Sequence, residues 1–201
     1  MKRGFSIFIS AITALTALTA AADSKTDALL TQVSAKLKAM GEYEVAFAVS
    51  ADAFKAAGKY VVSGSEYHLS LGDAEVFCDG TTRYEVNNSL QEITIDTVNL
   101  SERNILNNPV GGLDFLGEEF SAKMLSQDAG STVVSLTPVQ NAGNSTIEVT
   151  VDNASQLPVR LVYRMAGDAV TIDLTSIRPS STPLRRFDPK TYPDYEIIDF
   201  R

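Results

Sequence analysis

Hydrophobic and polar residues change their spacing along this chain, and each change marks a new element. From Asp27 to Met40, the residues Leu29, Leu30, Val33, Leu37 and Met40 recur every three or four positions, which places them on one face of a helix. Lys25, Lys36 and Lys38 fall off that stripe, and Gly41 supplies a stop. Past Gly41 the period becomes two. Tyr43, Val45, Phe47 and Val49 alternate with Glu42, Glu44, Ala46 and Ala48, as a strand with one buried face requires. Further strands are predicted over Lys59–Ser63, Glu66–Leu71, Ala74–Cys78, Thr82–Asn87 and Gln91–Asp96. Their breaks fall at Gly58, Gly64-Ser65, Gly72-Asp73, Asp79-Gly80 and Asn87-Asn88. Strands this closely spaced predict an antiparallel meander rather than βαβ units.

Between Leu100 and Phe120 the alternation stops. Asn107-Asn108-Pro109 and Gly111-Gly112 interrupt an apolar set of Ile105, Leu106, Leu113, Phe115, Leu116 and Phe120, which reads as two short helices. Helices so short must pack on something to persist. Strands resume over Thr132–Thr137, Thr146–Val151, Val159–Met165 and Ala169–Ile177. A Pro/Ser-rich connection from Arg178 to Arg186 then leads to a final edge strand over Tyr195–Phe200. The expectation is a mainly β domain in which helices cover the apolar face of one antiparallel sheet. Tyr43, Phe47, Tyr60, Tyr67, Leu69, Ile93 and Ile95 from the first run of strands are candidates for that face, with Ile147, Val149, Leu161, Tyr163 and Ile172 from the second. Periodicity alone leaves open whether they fill a solid core or line a cavity.

The N-terminus carries a targeting pattern. Lys2 and Arg3 precede a mostly apolar, uncharged run from Phe5 to Leu18, and Ala20, Ala21 and Ala22 supply small residues for cleavage. Residues 1–22 therefore read as a signal peptide, leaving a soluble exported domain over 23–201. The run is too short and too rich in Thr and Ser to span a bilayer. No cysteine stands near the cleavage point to take a lipid anchor. Loss of Lys2 and Arg3 would take the formal charge from −8 to −10, an acidity that argues against nucleic-acid binding. Cys78 is the one cysteine, so no internal disulfide is possible.

Catalytic patterns are missing: there is no P-loop, Cys-x-x-Cys, His-Glu-x-x-His or Gly-x-Ser-x-Gly. His68 is the single histidine and reads as an ordinary strand residue, since a lone imidazole needs partners to act as base or ligand. Cys78 reads as a buried structural thiol. Asp73 and Glu75 share a strand face, as paired acids do in glycosidases, but beside a turn they read as solvated charges. Arg178, Arg185 and Arg186 form the one basic concentration, read first as a solvated connection and second as a docking patch for an acidic partner. The expectation is a protein that is not an enzyme and needs no cofactor or metal.

The closing string Phe187-Asp-Pro-Lys-Thr-Tyr-Pro-Asp-Tyr-Glu-Ile-Ile-Asp-Phe-Arg201 resembles the end of the LolA-like outer-membrane lipoprotein carriers of Bacteroidetes-type bacteria. Gly58-Lys59-Tyr60 is similar to the start of that family's second strand. Cys78-Asp79-Gly80-Thr81-Thr82-Arg83-Tyr84 is similar to its Asp-Gly hairpin, and Leu90–Asp96 to the strand that follows. The break at Asn107-Asn108-Pro109 sits where the family has its lid helices.

The resemblance implies a LolA/LolB-like half-barrel, an unclosed antiparallel β-barrel covered by short helices, acting as a monomeric periplasmic carrier. Its cargo would be acylated lipoproteins, taken from an inner-membrane lipoprotein-releasing complex to an outer-membrane acceptor. On that reading Phe47, Tyr60, Tyr67, Leu69, Ile93, Leu106, Phe115 and Leu116 are the acyl-contacting set. The alternative is a sensor or regulatory module of the same fold, binding lipid or a small molecule without shuttling it. The sequence departs from better-known carriers in three places. No arginine lies between Glu42 and Ser50 to act as their closing latch, Tyr67-His68-Leu69 stands where they have an Arg-Trp pair, and Arg83 replaces a hairpin tryptophan.

Overall fold

The computed structural model describes residues 13–98, 120–139, 145–165 and 168–201, with side chains from Lys25 onward. A helix, α1 (Thr13–Ala39), leads into β1 (Glu42–Ala51), β2 (Phe54–Ser63), β3 (Glu66–Leu71), β4 (Ala74–Cys78), β5 (Thr82–Asn87) and β6 (Glu92–Thr97). The second run comprises β7 (Phe120–Gln127), β8 (Ser131–Pro138), β9 (Ser145–Asp152), β10 (Leu157–Met165) and β11 (Asp168–Pro179). A 3-10 turn (Pro189–Thr191) and β12 (Glu196–Asp199) close the chain. The expected central helices, with Leu106, Phe115 and Leu116, lie outside the described residues.

The twelve strands among the described residues join one sheet in the order β12-β6-β5-β4-β3-β2-β1-β11-β10-β9-β8-β7. Neighbours run antiparallel except β12, which lies parallel to β6 in the register Ile197 to Ile93. The two ends, β12 and β7, do not pair with each other, so the barrel is unclosed. The two meanders meet where β1 pairs with β11. Extra residues interrupt the ladders at Thr175, Val159 and Leu125. Such bulges bend and twist a strand, as a half-barrel requires.

Helix α1 places Leu30, Val33 and Leu37 in the core while Lys25, Lys36 and Lys38 stay exposed, as the spacing predicts. It ends at Gly41, whose φ of +68° suits a residue without a Cβ. The helix packs on β7 and β10. Lys36 Nζ adds a hydrogen bond to the Ser155 carbonyl at 2.5 Å, in the turn between β9 and β10.

Two predicted boundaries fail for identifiable reasons. Gly58 is not a break but lies inside β2, opposite Phe47. The real turn is the two-residue loop Asp52-Ala53, where Asp52 takes φ +47°. Asp tolerates that conformation, but without a following glycine the turn carries little signal. Strand β7 is not predicted at all beyond Phe120, because its Ser, Ala, Lys and Gln residues have weak β preference. Its alternation is nonetheless present, with Phe120, Ala122 and Met124 partly buried.

The C-terminal segment crosses the outer face of β3–β6. Phe187 stacks on Tyr84 at 4.3 Å between ring centroids and lies 5.9 Å from Phe77. Tyr192 packs 5.1 Å from Tyr195, and with Phe77, Val86, Ile93 and Ile95 it forms a second apolar cluster. Asp188 accepts the Lys190 N–H and caps the 3-10 turn, with Pro189 at its first position.

Three arginines fasten this connection. Arg178 meets Glu44, Arg185 meets Glu75 at 2.7 Å, and Arg186 meets Glu66 at 2.7 Å. They are internal ties, neither a merely solvated stretch nor a free basic patch. Glu75, read as a solvated charge, is instead half-covered and takes three partners. Tyr192 Oη donates to its Oε2 at 3.0 Å, while Arg185 Nη1 and His68 Nε2 lie against its Oε1. Burial pushes the Glu75 carboxyl up, but the hydrogen bonds from Tyr192 and His68 and the charge of Arg185 outweigh it and hold it below its ordinary 4.5. Burial also lowers His68 below 6.5, with Glu75 opposing.

Two expected outcomes follow from this packing. A Cβ at Gly58 would sit 2.4 Å from Phe47 Cζ and 2.8 Å from the Ser70 carbonyl oxygen. Gly58→Ala should therefore lower stability by about 1–3 kcal/mol, measured by urea unfolding. Both Glu75 and His68 have depressed values in the folded protein, so their contribution is complete above the ordinary values. It is lost as pH falls through the folded ones, His68 first. Glu75→Gln should destabilise by about 1–3 kcal/mol at pH 7, and with Glu75 no longer opposing burial the His68 value should fall further below 6.5, read by NMR titration of the imidazole.

Candidate functional site

Strand register sorts the predicted apolar residues onto two faces. Tyr60 lies opposite Leu69, Leu69 opposite Val76, and Tyr67 opposite Cys78, so these share the inner face. Val45 and Phe47 on β1 continue it, and across the β1–β11 seam it runs through Leu174 and Ile172 to Leu161 and Tyr163. Val149 and Ile147 on β9, then Val134 and Leu136 on β8, complete one contiguous buried apolar band from β4 to β8. Phe47 and Tyr60 touch at its centre, with ring centroids 5.8 Å apart.

Four of the predicted acyl-contacting residues, Phe47, Tyr60, Tyr67 and Leu69, are thus brought together. Ile93 is not. With Ile95 it pairs in register with Val86 and Tyr84 on the opposite face, beneath Tyr192. Alternation separates two faces but does not say which one the C-terminal segment will cover. Sequence reasoning also passed over Val134 and Leu136, which are fully buried on the inner face. Their signal was available, since Thr132, Val134 and Leu136 alternate in β8.

The polarity of the inner face changes at β5. Arg83 lies opposite Cys78, and Glu85 opposite Val76, so both project inward where β4 still presents apolar groups. They form an ion pair at 2.9 Å. On β6 the inward positions are Thr94 and Asp96. The apolar band therefore ends at a charged border, and the departure noted at Arg83 is part of that border.

Polar atoms within the band are few. Burial pushes the Tyr67 phenol up to about 12, against a hydrogen bond from Arg83. The Tyr60 phenol is raised well above its ordinary value, first by burial and then by neighbouring Tyr43 and Tyr163. Its hydroxyl has no hydrogen-bond partner among the described residues. Cys78 is buried, with its thiol raised by burial, and its Sγ accepts the Gly80 N–H at 3.2 Å. A shallow groove of about 430 Å³ at the β1–β2 hairpin, flanked by Lys55 and Asp173, lies apart from the aromatic centre of the band. No helix among the described residues is long and apolar enough to cross a membrane.

No family model matches the chain, and no curated protein matches it by sequence. Solved structures do share its fold. The chain is similar to an uncharacterised conserved protein from Thermus thermophilus, with 6% identity and a TM-score of 0.54 over 85% of this chain and 96% of that one. It is also similar to MucB, with 13% identity and a TM-score of 0.50 over 81% of this chain. That match spans 61% of MucB. A LolA superfamily protein from Nitrosomonas europaea aligns with 13% identity and a TM-score of 0.40, over 83% of this chain and 96% of that one. For the first two, with TM-scores of 0.54 and 0.50, the likeness at these identities is one of fold.

Proposed function

We propose that the inner face of the half-barrel holds lipoprotein acyl chains and that the protein carries them through the periplasm without catalysis. The supporting observation is the continuous apolar band from β4 to β8, to which Leu30, Val33 and Leu37 of α1 also belong. The resemblance of the closing string points the same way. Export by residues 1–22 would deliver 23–201 to the compartment where such cargo must cross water.

The energetics make a carrier necessary. An acyl chain gains about 0.8 kcal/mol for each buried CH₂, so exposing one long chain costs on the order of 10 kcal/mol. The sequence has no nucleotide-binding motif, so loading would draw its free energy from a partner at the inner membrane and unloading from a tighter acceptor at the outer one. A second reading, lipid binding without shuttling, is favoured by one observation. Strand β1 has no arginine at which the latch of the better-known carriers could form.

Lipoprotein release from spheroplasts separates the two. Purified 23–201 should bring labelled acylated lipoprotein into the supernatant as an equimolar complex, and Phe47→Leu should reduce the yield several-fold. Lipid binding without release, with the releasing machinery shown to work on a known carrier, would favour the non-shuttling module. Failure to bind lipid at all would overturn both readings.

A further inference from the structure

We propose that the Tyr60 hydroxyl recognises a neutral carbonyl, the ester or amide that links an acyl chain to its head. The inner face would thereby prefer linked acyl chains to plain hydrocarbon and to free fatty acid. This rests on the reading of that face as an acyl site and adds the polar group it selects.

Tyr60 is completely buried, between Val45 of β1 and Leu69 of β3, with Phe47 against its ring. A phenylalanine would fill the same space. The hydroxyl instead gives up its water and finds no partner among the described residues, an arrangement that weakens a fold unless something else satisfies it. Tyr43 and Tyr163 lie close enough to raise its pKa, but neither hydrogen-bonds to its hydroxyl.

The chemistry of its surroundings narrows the partner. Burial keeps the phenol protonated, so it is a donor seeking an acceptor. A carboxylate is a poor candidate, because an ion brought into an apolar interior needs a counter-charge. The guanidinium on the inner face at β5, Arg83, already has its charge matched by Glu85 at 2.9 Å and hydrogen-bonds to Tyr67, although its Nε has no partner among the described residues. An ester or amide carbonyl is neutral and sits at the end of the hydrocarbon that the band would hold.

The test is displacement of 1-N-phenylnaphthylamine by hexadecane, methyl palmitate and sodium palmitate at pH 8, for the wild type and Tyr60→Phe. Wild type should bind methyl palmitate tightest. Tyr60→Phe should lose about five- to tenfold in affinity for that ester, the worth of one hydrogen bond, and keep its affinity for hexadecane. Its Tm without ligand should be unchanged or higher. Equal ester affinity in the two proteins, an equal loss for hexadecane, or tighter binding of palmitate than of its ester would overturn the proposal. So would a lower Tm, which would show that the hydroxyl serves the fold itself. If neither hexadecane nor methyl palmitate displaces the dye from wild type, the acyl-site reading falls and this proposal falls with it.

Discussion

Alternation puts half of each strand's side chains on either face, so a wide sheet must solve two burial problems with one chain. Here the solution changes along the sheet. On β1–β4 and β8–β11 the inward positions are mainly apolar, Thr132 being a buried exception, and gather into one band. On β5 and β6 the inward positions are Arg83, Glu85, Thr94 and Asp96, while Tyr84, Val86, Ile93 and Ile95 face outward. Strand β4 lies at the crossover and is buried on both sides, with Val76 and Cys78 inward and Phe77 outward. The C-terminal segment exists, in physical terms, to cover what this inversion exposes.

That segment is held chiefly by its aromatic residues. Phe187, Tyr192 and Tyr195 bring large apolar areas onto the outer cluster, and burial of such rings dominates local stability. The arginines of the connection are more than half exposed, at 65%, 57% and 68% for Arg178, Arg185 and Arg186, and exposed pairs contribute little individually. Their effect is to set the path of the chain. Each selects a carboxylate on a different strand, β1, β4 or β3, and together they align the segment across the sheet. This cover lies on the outer face, on the opposite side of the sheet from the inner band.

Much of this was legible in the residues. Strands β3, β4 and β5 begin and end where alternation and turn chemistry place them, because Gly64, Gly72 and Asp79-Gly80 are unambiguous turns. The β1–β2 hairpin was not, since Asp52-Ala53 is a weak turn and Gly58 a misleading one. Gly58 marks the close approach of Phe47, a long-range fact that local pattern does not contain. Ile93 was misplaced for the same kind of reason: period two tells which residues share a face, and only tertiary packing tells which face is which. The closing string is informative about fold rather than site, since its aromatic residues pack on the side away from the band. Tyr60 was named as an apolar contact, but that its hydroxyl has no partner among the described residues is visible only in three dimensions.

The claim on which this account depends is that lipid occupies the inner face and not the outer one. Methyl-labelled protein with a nitroxide-bearing stearate methyl ester would report it directly, through broadening of methyl resonances near the spin label. The account predicts broadening at Leu69, Val76 and Leu161, with Val86, Ile93 and Ile95 unaffected beneath the C-terminal segment. Broadening confined to the outer set, or uniform across both, would contradict it.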